Sequence, residues 1–194
     1  MKAVLISIQP RWCELIASGK KTVELRKTKP KLETPFKCYI YCTNTKPFLV
    51  WGDVFRGNWE TEFTHLIGYN RKDAEKIWDV FNGKVIGEFV CDRITDIPYS
   101  QYFVDYYHTM PQADLEASCL DMGHIDEYLL SKNGYGWHIS DLKIYDTPKD
   151  LTSFYQKCKS YPIKYNDCLL CENPCGNGGK MYLKRPPQSW CYVE

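Results

Sequence analysis

The first 27 residues constrain the fold more than any other stretch. A short apolar run, AVLISI at residues 3–8, leads into Gln9-Pro10, then to Gly19 and the alternating segment TVELRK. The run is rich in β-branched residues and reads as a buried strand. Pro10 suits the first turn of a helix, where its missing N–H costs nothing. Trp12, Leu15 and Ile16 fall at i, i+3 and i+4, one face of that helix. Gly19 supplies the stop. Gln9 is a poor N-cap, so another contact must fix the junction. From Thr22 the period changes to two. Val23 and Leu25 point one way, Thr22, Glu24 and Arg26 the other, which predicts a half-buried strand.

The rest of the chain continues in short elements. KCYIYCT (37–43) reads as a strand after the Pro-punctuated loop KPKLETP. Residues 44–82 read as an insertion carrying Phe55, Trp51 and Trp59. Within it Asn70 caps a predicted helix with Ala74, Ile77, Trp78 and Phe81 on one face, ending at Asn82-Gly83. Residues 84–97 predict a long strand, or a strand pair kinked at Gly87. Short helical patterns follow over 111–131, then an alternating strand region at 135–146 and a short helix at PKDLTSFY. Several short strands with few helices, and no repeated βαβ unit, predict an α+β fold: a small mixed β-barrel with flanking helices. The expected division is a domain over 1–156, with its helical insertion at about 44–82, and a Cys-rich C-terminal extension over 157–194 packed on it.

Composition narrows the function classes. Net charge is +1, so binding to nucleic acid must come from a local patch rather than a global basic excess. No stretch approaches a membrane span, and the N-terminal apolar run is too short for a signal segment. The expectation is a cytoplasmic protein whose ten cysteines are thiols or metal ligands rather than disulfides. Phosphate-loop, dinucleotide-binding and serine-elbow motifs are absent; GNGGK (176–180) lacks the P-loop spacing.

The stretch GKKTVELRK (19–27) carries the densest chemistry. Thr22, Glu24 and Arg26 project about 7 Å apart from one side of the strand, with Lys20 and Lys21 at the helix–strand junction. Such a set could hold a polar ring with several donors and acceptors. It could also run acid–base chemistry through a desolvated lysine. As a plain solvated face it would do neither and would contribute little to stability.

Residues Gly19 to Arg26 match the G-x-K-x-x-E-x-R signature of the ASCH family, in the expected place after a first strand and a short helix. ISIQP and WHISDLKI also resemble that family. The resemblance covers roughly 3–43, 84–97 and 135–146. It implies a PUA-like β-barrel with a cleft lined by Lys20, Glu24 and Arg26, and a role in RNA binding or modified-nucleotide recognition. Some small ASCH proteins are amidohydrolases that deacetylate N4-acetylcytidine. This chain is similar to them at Lys21, where their catalytic lysine falls, and at Thr22. It has Glu24 where they have a further threonine. Their catalytic glutamate lies on a later helix, with Glu116 as a candidate here.

Gln9 and Trp12 lie beside that strand. Gln9 could read a base edge, and Trp12 could stack on a base, a contact worth roughly 1–3 kcal/mol. The expected ligand-binding set is therefore Gln9, Trp12, Lys20, Lys21, Thr22, Glu24 and Arg26. Lys21, Thr22 and Glu24 form the catalytic set if the protein is an enzyme. The partner would be RNA or a modified nucleoside or nucleotide, with no cofactor in the cleft. A protein-interaction surface on the 44–82 insertion is a further reading. Trp137 and His138 take opposite strand faces, Trp137 as core and His138 as structural residue or acid–base group. His65, His108 and His124 have no evident partner spacing. In the tail, Cys168, Cys171, Cys175 and Cys191, with Cys158 as substitute, could form a closed tetrahedral zinc site. The alternative is a set of reduced thiols. Cys13, Cys38, Cys42, Cys91 and Cys119 read as small buried side chains.

Overall fold

All six residues of β1 (Ala3–Ile8) are buried, because the strand runs inside a sheet covered on both faces. In chain order there follow α1 (Pro10–Ala17), β2 (Val23–Arg26), β3 (Phe36–Cys42), β4 (Phe48–Trp51), β5 (Phe63–Leu66) and α2 (Arg71–Ala74). Next come β6 (Val85–Ile97), β7 (Tyr99–Tyr102), β8 (Asp105–His108), α3 (Gln112–Ser118) and α4 (Met122–Leu129). The chain ends with β9 (Gly134–Lys149), β10 (Tyr155–Lys157), β11 (Lys180–Tyr182) and β12 (Trp190–Val193). The computed structural model describes residues 2–51, 63–66, 70–75, 80–102, 105–158 and 178–194.

The main sheet has the order β12-β1-β3-β6-β9-β2. β1 and β3 are parallel, with Ile6 opposite Ile40, and the other pairs are antiparallel. β6 and β9 are long, with 13 and 16 residues, and their register shifts at several points. Such bulges bend and twist a sheet. Gly87 lies opposite Ile144 in this region, where a Cβ would sit 2.6 Å from the Lys143 carbonyl oxygen. The core between sheet and α1 holds Val4, Ile6, Ile8, Cys13, Ile16, Ile40 and Phe89. Trp137 is fully buried there as expected, edge-on to Phe36 at 5.7 Å between ring centroids.

The expected closed barrel is an open sheet in its main-chain hydrogen bonding, with β2 and β12 as its edges among the described residues. Side-chain contacts join the β2 end of the sheet to β1 and β12. Arg26 Nη2 donates to Ser7 O at 2.7 Å, and Trp190 Nε1 donates to Thr28 Oγ1 at 3.0 Å. β12, read from sequence only as part of the tail, pairs with β1 and so belongs to the main sheet.

The helix expected over 70–83 does not extend that far. Val80 bridges to Val50, and Phe81 N donates to Leu49 O, so the chain there is extended against β4. Asn82 is buried rather than capping a helix end. Its Oδ1 accepts Leu49 N at 2.7 Å and its Nδ2 donates to Pro47 O at 3.1 Å. Much of the expected interaction surface, including Phe55 and Trp59, lies outside the described residues. No helix among the described residues is long and apolar enough to cross a membrane.

Candidate functional site

Lys21 stands where α1 hands over to β2. Gly19, at φ +73°, turns the chain, and Lys21 N donates to Leu15 O at 2.9 Å. A Cβ at Gly19 would meet nothing within 4 Å, so glycine supplies a backbone angle there rather than space. The turn directs the lysine side chain inward, and Lys21 is only 2% exposed.

Four residues of β2 are buried, where a half-buried strand was expected. Both faces are covered. Leu25 packs with Ile97, Ile125 and Leu129 beneath α4. Glu24 and Arg26, each 6% exposed, take the other face. There Lys21 Nζ donates to Ser118 O at 2.6 Å and lies 3.4 Å from Glu24 Oε2. Glu24 Oε1 accepts Arg26 Nη2 at 2.9 Å. The Lys21 ammonium also sits 5.1 Å from the centroid of the Trp12 ring, a cation–π contact.

Two cations thus share one carboxylate in a desolvated place. Burying each ion costs several kcal/mol, about, which only close pairing and hydrogen bonding offset. The surplus positive charge favours a ligand that brings a carbonyl or anionic oxygen. Arg26 Nε is buried with no hydrogen-bond partner among the described residues, an unmet donor in the same group.

The cluster opens into a cleft of about 610 Å³, within the usual range for small-molecule sites. Gln9, Trp12, Lys21, Glu24 and Arg26 line it, together with Ser7, Thr43 and Gln188. Trp12 is half-buried against the edge of the core, while Cys13 and Ile16 are the fully buried face of α1. Gln9 makes no side-chain cap; its carbonyl accepts Trp12 N and Cys13 N, and its amide is left at the cleft. Burial, first of all, pushes the Cys13 thiol well up, so it is no thiolate nucleophile beside the cluster.

Lys20 and Thr22 do not line the cleft; both are exposed. Thr22 is committed through its backbone, donating to Ala117 O and accepting from Ile139 N, which turns its side chain to solvent. Glu116 is also outside the cleft, exposed and paired with Gln112 at 2.8 Å. The second wall is instead α4, with His124, Glu127 and Tyr128. That wall escaped the sequence reading. Its legible signal is Asp121 followed by His124, an N-cap that also holds the imidazole, with Asp121 Oδ1 2.8 Å from His124 Nδ1.

The remaining candidates are structural by their partners. His138 Nε2 lies 2.8 Å from Thr95 Oγ1, which donates to Asp114 Oδ2 at 2.6 Å, and Nδ1 lies 3.1 Å from Arg93 Nη2. Those bonds tie β6, β9 and α3. His108 is buried and ties β8 to α4 through Asp126 Oδ1 at 2.5 Å. Cys13, Cys38, Cys42 and Cys91 are buried as expected, whereas Cys119 is half-exposed. Cys168, Cys171 and Cys175 lie outside the described residues, as does the side chain of His65. Cys191 is on β12 and lines, with Cys158, a second cavity of about 600 Å³.

This arrangement of sheet, helices and cleft has relatives among solved structures. The ASCH protein of Zymomonas mobilis superposes with a TM-score of 0.51 over 99% of this chain and 87% of its own, at 16% identity. The chain has the ASCH-domain fold. A tyrosine-to-phenylalanine variant of the Zymomonas protein matches with a TM-score of 0.50 at 16% identity, over 100% of this chain and 91% of its own. A serine-to-alanine variant matches with a TM-score of 0.50 at 16% identity, over 99% and 88%. At that identity the likeness is one of fold. No protein-family model and no curated protein matches the sequence. Within the ASCH fold of this chain, the G-x-K-x-x-E-x-R segment supplies the buried cluster through the three residues that the signature fixes, Lys21, Glu24 and Arg26, where Lys20 was expected to line the cleft.

Proposed function

We propose that this ASCH-fold protein binds RNA or a modified nucleotide in the cleft between β2 and α4. The observation that carries the reading is the buried Lys21–Glu24–Arg26 cluster with its surplus positive charge beneath the face of Trp12. A flat base stacks on Trp12, and a base carbonyl or phosphate oxygen meets the Lys21 ammonium. Glu24 is taken by both cations, so its role is counter-ion and orienter of Arg26 rather than reader of an exocyclic amine. Gln9 stands free to read a base edge.

The test exposes purified wild type and Lys21→Met to a panel of modified nucleosides that includes N4-acetylcytidine, with mass spectrometry reporting retained ligand and product. Methionine keeps the shape of the lysine stem and removes its charge. The expected result is ligand retained by wild type and lost by the variant. Retention unchanged in Lys21→Met overturns the reading.

The alternative is an amidohydrolase acting on an acylated nucleoside, with Lys21 as nucleophile or as activator of water. The placement of a buried lysine ammonium in the cleft favours it; the exposure of Thr22 counts against the catalytic set read from the sequence. Product formed by wild type and abolished in Lys21→Met would establish it in the same assay.

A further inference from the structure

The α4 wall has its own chemistry. Ile125 and Leu129 are fully buried against Leu25 and Ile97, which fixes the helix on β2. His124, Glu127 and Tyr128 fall at i, i+3 and i+4, the adjoining face, and line the cleft. Asp121 Oδ1 accepts the backbone N–H of His124 at 2.8 Å, and the ring Nδ1 lies 2.8 Å from the same oxygen. The carboxylate thus lies beside Nδ1, and Nε2 is on the far side of the ring. Across the mouth, the Lys27 ammonium sits 4.8 Å from the centroid of the Tyr128 ring.

Resting on the nucleotide reading above, we propose that His124 is a pH-dependent contact for a backbone phosphate of the bound nucleic acid. The charged groups beside it or lining the same cleft are Asp121 and Glu127 at its own helix, and Lys21, Glu24, Arg26 and Lys27, which run from just before β2 to just after it. With a neutral imidazole whose Nδ1–H points to Asp121, Nε2 presents a lone pair, which repels a phosphate oxygen. The two carboxylates of α4 then outweigh Lys27 at the mouth. Protonation turns Nε2 into a donor and balances those charges, so a phosphodiester binds more tightly in acid. The Lys21–Glu24–Arg26 cluster and Trp12 hold the base, and His124 with Lys27 holds the phosphate.

The experiment measures affinity of wild type and His124→Gln for uridine, cytidine and the dinucleotides UpU and CpC, at pH 5.5 and pH 8. A phosphodiester keeps a fixed charge over that range, so a change in affinity comes from the protein. His124 is exposed, with 55% of its side chain accessible, so the variant folds. The expected result is a dinucleotide bound about five- to tenfold more tightly at pH 5.5 by wild type, a charge-assisted contact at a surface site. His124→Gln loses that gain, and the nucleosides show none in either protein. A flat dinucleotide profile in wild type, or a gain kept by His124→Gln, overturns the role of His124 and leaves the nucleotide reading standing. Failure of all four probes, together with every member of the modified panel, to bind wild type overturns both.

Discussion

The buried cluster makes a sharp prediction about charge arithmetic. Wild type holds two cations and one carboxylate within 3.4 Å contacts, a formal surplus of one positive charge. Glu24→Gln raises that surplus to two, with Lys21 2% and Arg26 6% exposed and so little access to solvent screening. Removing one partner of a buried ionic group costs about 3–5 kcal/mol, since it leaves uncompensated charge. Lys21→Met does the opposite. It leaves Glu24 and Arg26 as a neutral pair and fills the same space, at the cost of the bond to Ser118 O, about 1–3 kcal/mol. Urea denaturation of the three proteins should therefore order them wild type, then Lys21→Met, then Glu24→Gln, with the last about 2 kcal/mol below the second. On a domain whose total stability is on the order of 5–15 kcal/mol, that gap moves the midpoint well beyond error. Equal midpoints for the two variants, or a more stable Glu24→Gln, would refute the picture of a desolvated cluster with one shared carboxylate.

Three further outcomes follow from particular contacts. Gly87→Ala places a Cβ 2.6 Å from the Lys143 carbonyl and should destabilise the β6–β9 pair by about 1–3 kcal/mol in thermal or urea unfolding. Leu130 ends α4 at φ +57° and is 62% exposed, so Leu130→Gly relieves strain without losing burial and should raise stability by up to about 1 kcal/mol. The Tyr145 hydroxyl, and then Lys37, hold the Glu88 carboxyl below its usual value, so its stabilisation is complete above the unfolded value, about pH 4.3, and is lost as pH falls through the lower folded value. Stability measured from pH 6 to pH 3 should fall less steeply in Glu88→Gln than in wild type.

The elements that position the site were legible where local signals agree. AVLISI, Pro10 and Gly19 bracket β1 and α1, and the alternation of TVELRK places Glu24 and Arg26 on one face of β2. Burial of that face was not legible, because the cover comes from Trp12, Ser7 and Ser118, residues far apart in sequence. The same holds for β12. WCYV is four residues long and follows a Pro-rich stretch, and its pairing with β1 joins the two ends of the chain. The α4 wall escaped because its apolar residues, Ile125 and Leu129, hide a short cleft-facing stripe that only the docked helix reveals. The helix misread toward Asn82-Gly83 failed for a related reason. Phe81 fits a helical face with Ala74 in the sequence pattern, yet Phe81 and its neighbour Val80 have partners on β4 that draw the chain into extended pairing.

The most direct test of the central claim is a crystal structure of the protein with the nucleoside or nucleotide that it retains. The account predicts the base against Trp12 and a ligand oxygen within hydrogen-bond distance of Lys21 Nζ, with Glu24 still bound to Arg26. A ligand seated elsewhere, such as the cavity beside Cys158 and Cys191, with the β2–α4 cleft empty, would contradict it.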